Sequence, residues 1–473
     1  MELLNNLVGI VNELLWSKVL IIMLITLGLY FTFRTKFVQF RFFGEMFRLL
    51  GDGAKGEKKE GAVSSFQAFC ISTASRVGTG NIAGIAMAVV AGGPGSVFWM
   101  WLIALIGSAS SFVESTLAQI FKIKDGEGFR GGPAYYMEQG LKSKGMGIAF
   151  SILITICFGF IFNAVQSNTI TAAFNNAFGM NRLVVGLILA AVTGVIIFGG
   201  VHRVAKVSEI IVPIFAVLYI LVSLFVVVIN IGEIPGIIRS IFESAFGLRE
   251  IAVGSMSGMI LVGIKRGLFS NEAGMGSAPN AAATADVTHP VKQGLIQTLG
   301  VFTDTIVICS CTAFMILLYS DYATAGLEGI ELTQAALSSQ IGPIGNIFIA
   351  ICILLFAFSS IVGNYYYGES NIEFMSKNKT ILNVFRIMVV GMVLFGSIAK
   401  VQLVWDLADV FMGIMAVINL VAIALLGKYA FIALKDYSAQ KKAGIKEPVF
   451  NASNIEGLEN VECWKEEIEG KAV

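Results

Sequence analysis

Apolar residues in this chain run together and polar ones are bunched between them. A helix needs about 20 residues to cross a ~30 Å hydrocarbon core. Eleven hydropathic runs near that length are predicted, at 17–33, 64–91, 95–121, 148–175, 183–200, 205–231, 251–283, 293–319, 344–368, 381–399 and 404–432. The runs are continuous, whereas the strands of a membrane barrel alternate over about ten residues. The predicted fold class is therefore an all-α integral membrane protein with about 11 transmembrane helices.

Composition agrees with that pattern. Of 473 residues, 56% are apolar and 14% charged, against about 25% charged in a soluble domain, and the mean hydropathy is +0.79. A net charge of +1 offers no basic surface for nucleic acid. Membrane lipid is the expected surrounding, and no obligate protein partner is evident. Glu2 and Glu13 precede any Lys, and no small-residue cleavage site follows the first apolar run, so that run is expected to stay as a helix. Cys70, Cys157, Cys309, Cys311 and Cys352 fall inside predicted spans and Cys463 in the tail, which argues against an extracellular disulfide framework. His202 and His289, expected in solvated loops, lack metal-ligand spacing.

Charge also sets an orientation. With the loop 34–63 in the cytoplasm, 25 of the 33 Lys and Arg lie on that side and five on the other. The positive-inside rule then places the N-terminus outside and the C-terminus inside a plasma membrane crossed many times. The segment 320–343, with Asp321, Glu328 and Glu331 and no Lys or Arg, reads as the longest outward loop. The tail from Lys435 onward reads as solvated or disordered.

Two spans are interrupted by glycine mixed with polar groups. The second carries Ser72-Thr73-Ala74-Ser75-Arg76-Val77-Gly78-Thr79-Gly80-Asn81, and the seventh carries Ser270-Asn271-Glu272-Ala273-Gly274-Met275-Gly276-Ser277. Each heads a set of five spans, 64–231 and 232–432. Five is odd, so the sets enter the membrane from opposite sides, as inverted repeats do. Residues 1–63 are then an extra helix with a basic loop, and 433–473 a cytoplasmic tail. Glycine in membrane helices often serves only close packing. Here it is joined by Ser, Thr, Asn, Glu and Arg, which are costly in lipid and mark functional sites. An unwound turn is tolerated in a membrane only where it lines a cavity or binds something. Freed carbonyls suit Na+, and N–H groups at a half-helix start suit a carboxylate. Gly78 to Ala83 also fits a dinucleotide-binding fingerprint, but its flanks are membrane runs and not a βαβ unit. For the seventh span, Gly254-Ser255-Met256-Ser257-Gly258 is an alternative place for the break.

Other polar groups fall inside the spans. Phe162, Gln166 and Ile170 share a helix face, suited either to a small zwitterion or to an interhelical hydrogen bond. The hydroxyls of Ser359 and Ser360 could join backbone carbonyls around a hard cation. Arg76, Lys265 and Arg266 either hold a substrate carboxylate or pair with Glu114, Glu272, Asp304 or Glu369, and pairing is expected. The substrate site expected from these features comprises Thr79, Gly80, Asn81, Phe162, Gln166, Ile170, Asn271, Gly274 and Met275.

Several motifs resemble the alanine or glycine:cation symporter family, the sodium:alanine symporters. They are Val77-Gly78-Thr79-Gly80-Asn81-Ile82-Ala83-Gly84, Gly92-Gly93-Pro94-Gly95 with Phe98-Trp99-Met100-Trp101, Gly131-Gly132-Pro133-Ala134-Tyr135-Tyr136-Met137, and the run from Lys265 to Pro279. The likeness covers about residues 15–435. It implies import of alanine or glycine with Na+ by alternating access, on the five-plus-five inverted repeat of the bacterial leucine transporter. No cofactor is implied beyond Na+ as coupling ion. On that likeness the N–H groups of Thr79 and Gly80 meet the substrate carboxylate. Carbonyls of Ala74, Val77 and Phe356 surround Na+ with the hydroxyls of Ser359 and Ser360. Asn81 matches a position of a second sodium site whose other partners are not all evident in the sequence. A proton-coupled symporter and a gated small-solute channel are the alternatives. An enzyme is not expected, since no catalytic cluster or activated nucleophile is apparent.

Overall fold

The computed structural model describes residues 2–55, 63–126, 128–199, 201–247 and 255–464. Its main helices are α1 Val8–Arg34, α2 Ser65–Arg76, α3 Gly80–Gly92, α4 Gly95–Ile120, α5 Lys144–Phe178, α6 Arg182–Ile197, α7 Val201–Ile229, α8 Ile234–Ala245, α9 Met256–Asn271, α10 Ala278–Ala282, α11 Pro290–Leu317, α12 Gly329–Ile341, α13 Ile344–Met375, α14 Lys379–Ile398 and α15 Val401–Lys442. One short hairpin, β1 Ile123–Asp125 with β2 Gly128–Arg130, follows α4. Among the described residues eight helices are long and apolar enough to cross a membrane, and α2 with α3 forms a ninth span bent by 49°. The predicted spans 183–200 and 251–283 fall on the shorter α6 and on the interrupted pair α9 and α10.

The starts of the two interrupted spans are written locally. Ser64 and Gln67 form a reciprocal capping box at α2, each bond 3.1 Å. Ser255 accepts from Gly258 N at 3.2 Å to cap α9. The alternative break near Gly258 is thus the first turn of α9, and residues 251–254 lie outside the described ones. The helix instead ends at Asn271, and Glu272, Gly274 and Gly276 adopt positive φ of 56°, 86° and 83° before α10 begins.

Peptide groups bared in lipid need partners from elsewhere in the protein. Glu114 of α4 accepts from Gly274 N and Gly276 N, each at 3.1 Å, and from Asn419 Nδ2 at 2.8 Å. Asn419 also donates to Gly274 O at 2.9 Å. Glu272 accepts from Ser277 Oγ at 2.6 Å and from Ser75 Oγ of α2 at 2.9 Å, a direct tie between the two broken helices. At the end of the bundle where α4 finishes, Gln119 donates to Ala282 O and Ala285 O, Lys122 donates to Ala285 O, and Val63 pairs with Ala285 as a parallel bridge.

Three expectations are corrected. Segment 320–343 is not all loop, because Ile330, Thr333 and Leu337 recur at helical spacing and are buried as one stripe of α12. The tail is not solvated throughout. Residues 443–464 fold back over the ends of α4 and α11, where Phe450 N donates to Thr288 O at 2.9 Å and the Trp464 indole donates to Gln119 O at 2.7 Å. Phe450, Ile455, Val461 and Trp464 are buried there; they are scattered among charges, so their average composition reads as polar. Residues 465–473 of the expected tail lie outside the described ones. His289 is not solvated either. It is fully buried against Phe450 and Tyr437, and burial pushes its pKa down to about 4, leaving it neutral.

Glu114→Ala strands two buried N–H groups and is expected to cost about 3 kcal/mol. Thermal unfolding of the purified protein should show a lower midpoint than for Glu114→Gln, which keeps one acceptor oxygen. Trp464→Ala removes a buried indole worth about 3 kcal/mol. Hydrogen exchange should quicken across 443–464 while protection of α4 and α11 stays at the native level.

Candidate functional site

The last four carbonyls of a helix have no intrahelical donor. At the end of α2 this shortage meets α13. Ser360 Oγ lies 2.8 Å from Ala74 O, 3.3 Å from Val77 O and 3.0 Å from Phe356 O, and Ser359 Oγ donates to Phe356 O at 2.8 Å. The approach is possible because a Cβ at Gly363 would lie 3.1 Å from Ser75 N and 3.3 Å from Ile71 O, so the two backbones are almost in contact. Gly78 is constrained likewise, since a Cβ there would overlap Ser360 Oγ. All five residues expected around Na+ therefore meet in one buried cluster. Its donors are neutral oxygens, carbonyl and hydroxyl, which fit a hard cation. Among the described residues no group of three His, Cys, Asp or Glu is arranged to hold a metal.

On the other side of the same break, α3 begins with N–H groups that lack intrahelical acceptors. Gln166 of α5 supplies one: its Oε1 accepts from Thr79 N at 3.0 Å and Thr79 Oγ1 at 2.6 Å. Asn81 Oδ1 accepts from Gly78 N at 2.9 Å, and its Nδ2 donates to Ser270 Oγ at 3.0 Å and Asp304 Oδ1 at 2.6 Å. Asp304 also accepts from Ser270 at 2.6 Å and Thr305 at 2.9 Å. Phe162 lies beside Phe269, ring centroids 4.7 Å apart, and a Cβ at Gly80 would touch the Phe269 ring. Thr79, Gly80, Asn81, Phe162 and Gln166 are thus brought together, and Ile170 is buried one turn beyond Gln166.

The remaining residues expected at the substrate site are engaged differently. Asn271 accepts from Ala273 N through Oδ1, and its buried Nδ2 has no hydrogen-bond partner among the described residues. Gly274 N–H is taken by Glu114, and Met275 N donates to Glu272 O at 3.1 Å within the break itself. Gly274 sits with α4 and α15 rather than against Thr79 or Gln166.

A cavity of about 330 Å³ opens at the α12 end, lined by Ala83, Thr169, Ala172, Ile330, Gln402 and Trp405, among others. Trp405 stacks near Phe269, centroids 4.7 Å apart, so Trp405, Phe269 and Phe162 stand in a row between the cavity and the Thr79–Gln166 pair. Arg266 lies 4.6 Å over Trp405 and bonds Asp409 at 2.8 Å; Lys265 reaches the same carboxylate at 3.2 Å. Both cations pair, as expected, but with Asp409 instead of the acids the sequence reading named, and Glu369 pairs with Arg386 at 2.8 Å. Arg76 donates to Gln297 O at 3.3 Å within electrostatic reach of Glu114, Glu272 and Asp304. Sequence reasoning passed over Trp405, Phe269 and Asp409. An acid inside the last apolar run was the available signal for Asp409.

Comparisons with known proteins can be set beside this geometry. The family model described as the sodium:alanine symporter family matches residues 1–452. The chain is 59% identical to the probable sodium/glutamine symporter of Bacillus subtilis (strain 168), over 98% of this chain and 96% of that one. It is 37% identical to the sodium/alanine symporter AgcS of Methanococcus maripaludis, over 92% of this chain and 98% of that one. Among solved structures, MhsT in complex with L-phenylalanine aligns with TM-score 0.54 and 16% identity, over 82% of this chain and 99% of that one. A Na+-coupled sialic acid symporter aligns with TM-score 0.50 and 16% identity, over 83% and 86%. These two likenesses bear on the fold alone, and they bear out the expected helical transporter architecture of the bacterial leucine transporter. The protein is a multi-span transporter and not an enzyme, and with both sequence comparisons spanning nearly its whole length, it belongs to the sodium:alanine symporter family.

Proposed function

We propose that the protein imports a small neutral amino acid, alanine foremost, coupled to Na+ across the plasma membrane by alternating access. The observation that carries this reading is the single break between α2 and α3. It presents five neutral oxygens on one side and the N–H and hydroxyl of Thr79 on the other. Gln166 Oε1 bonds both Thr79 groups at once, as one oxygen of a substrate carboxylate would. In transport the carboxylate takes that place and Gln166 turns to bond it. Na+ among Ala74, Val77, Phe356, Ser359 and Ser360 ties α2 to α13, which holds Thr79 in its receiving orientation. The Ser360 hydroxyl, whose one proton faces the carbonyls of Ala74 and Val77, turns its lone pair to the ion instead.

Residues 64–231 and 232–432 serve as the inverted repeats, with the N-terminus outside and the C-terminus inside, a reading supported by the Lys and Arg distribution. The cavity on the α12 side then opens outward. The contacts of Gln119 and Lys122 with Ala282 and Ala285 close the inward path. Alternation releases those contacts while Trp405, Phe269 and Phe162 close over the substrate. Moving one charge through 100 mV supplies about 2.3 kcal/mol, enough for tens-fold accumulation before the ion gradient is added. The aromatic row and the tight fit at Gly78 and Gly80 favour a short side chain. A relative named for glutamine makes that amino acid the competing substrate. Asp304, a buried carboxylate bonded to Asn81 and Ser270, is the feature that favours the second reading, coupling to protons.

Labelled alanine should accumulate in proteoliposomes under an inward Na+ gradient and not under a choline gradient. Accumulation driven by pH without Na+ would transfer the coupling to protons, and stronger competition by glutamine than by alanine would reassign the substrate. Ser360→Ala removes one ion ligand, so the Na+ concentration for half-maximal uptake should rise about tenfold or more. At saturating Na+ the alanine half-saturation should stay within about twofold of the native value.

A further inference from the structure

We propose that the corner where α1 leaves the membrane binds the phosphate headgroup of an anionic phospholipid. Helix α1 ends at Arg34, and the chain turns through Lys36 and Phe37, both in the left-handed region with φ 54° and 58°. It continues as two short helices, Val38–Arg41 and Phe43–Lys55. Around the turn Phe33, Phe37 and Phe40 are 63%, 46% and 53% exposed, continuing the exposed apolar side of α1 that carries Ile22, Leu29 and Tyr30. Exposed apolar rings continuous with the outer side of a membrane span form a surface suited to acyl chains.

Between these rings stand Arg34, Lys36 and Arg41, all exposed. Arg41 Nη2 donates to Thr35 O at 3.2 Å, which holds its guanidinium beside the turn. Arg34 lies 5.2 Å over the ring of Phe431 on α15, and exposed Lys428 is one helical turn away on the same face. Among the described residues none of these four cations forms an ion pair, whereas Arg48 pairs with Glu45, Lys142 with Glu459 and Arg386 with Glu369, each at 2.8 Å. Four cations without an ion-pair partner beside the exposed rings of Phe33, Phe37 and Phe40 fit a counter-ion that is anionic at one end and apolar at the other. A phospholipid with net negative charge satisfies both demands, with charge-assisted bonds to its phosphate and acyl chains against the rings.

Its position gives the lipid a mechanical role. Helix α1 is held to α15 near its start by Trp16 and Asn12, whose side chains donate to Asp409 O and Asp406 O, and near its end by Tyr30 against Phe431. A headgroup bridging Arg34 and Lys428 fastens the exit of α1 to α15.

The test uses the purified full chain in neutral detergent and its thermal unfolding midpoint. Dioleoyl phosphatidylglycerol should raise the midpoint, and neither dioleoyl phosphatidylcholine nor inorganic phosphate should do so. The concentration of phosphatidylglycerol for half the effect should rise about fivefold for each cation removed, so roughly hundredfold in R34Q/K36Q/R41Q. K428Q alone should show the fivefold change, which keeps the test open if the triple variant folds poorly. K142Q, in a paired cation, should match the native protein. An equal effect of phosphatidylcholine, an equal effect of inorganic phosphate, or an undiminished response in K428Q and the triple variant would each overturn the proposal.

Discussion

Everything at the centre of this protein follows from peptide groups bared where no water can reach them. Breaking two helices inside a membrane exposes carbonyls at the end of α2 and N–H groups at the start of α3 and around Gly274, and each unsatisfied group costs several kcal/mol in hydrocarbon. The chain answers with side chains from other helices. Glu114 takes two N–H groups of the second break, Gln166 takes the N–H and hydroxyl of Thr79, and Ser360 reaches three carbonyls. The first of these arrangements is complete in itself. The other two have an exchangeable partner, since a hydroxyl can yield carbonyls to a cation and an amide oxygen can yield an N–H to a carboxylate. On the proposed function, that difference separates scaffold from site among side chains that are polar and buried alike.

The two breaks are not independent. Glu272 in one accepts from Ser75 in the other, Ser270 and Asp304 hold Asn81, and Arg76 sits among three buried carboxylates. A charge network of this kind is expensive to assemble in low dielectric and is strongly disrupted when one member is lost. The α2 break and α9 are thus joined by side chains in direct contact, Asn81 with Ser270 and Ser75 with Glu272 just beyond the end of α9. The aromatic row from Trp405 to Phe162 lies on the cavity side of this unit, anchored through Arg266 to Asp409.

Around the core, two peripheral segments lie against helices that frame the site. The chain after α15 lies over α4 and α11, with Trp464 on Gln119, the residue whose amide also secures Ala282 and Ala285. Helix α1 lies along α15, close to Asp409. Both segments add apolar burial and hydrogen bonds far from the break, and both touch elements that carry site residues.

The sequence by itself determined the membrane class, the approximate spans and the location of the first break, and it narrowed the second to two places, because continuous hydropathy and glycine joined to polar residues are local signals. It also brought Ala74, Val77, Phe356, Ser359, Ser360 and Thr79 forward as a group through a family resemblance, and Gln166 through the helix face it shares with Phe162 and Ile170. Only the tertiary structure decided what satisfies what. Glu114 meets Gly274 across 160 residues and Arg266 meets Asp409 across 143, distances over which no periodicity carries information. The same holds for the tail, whose few apolar residues look solvated until the ends of α4 and α11 offer them a place to be buried. Local pattern fixes where a backbone can break in lipid; the identity of its replacement partners is set by packing, because those partners come from whichever helices the fold brings alongside.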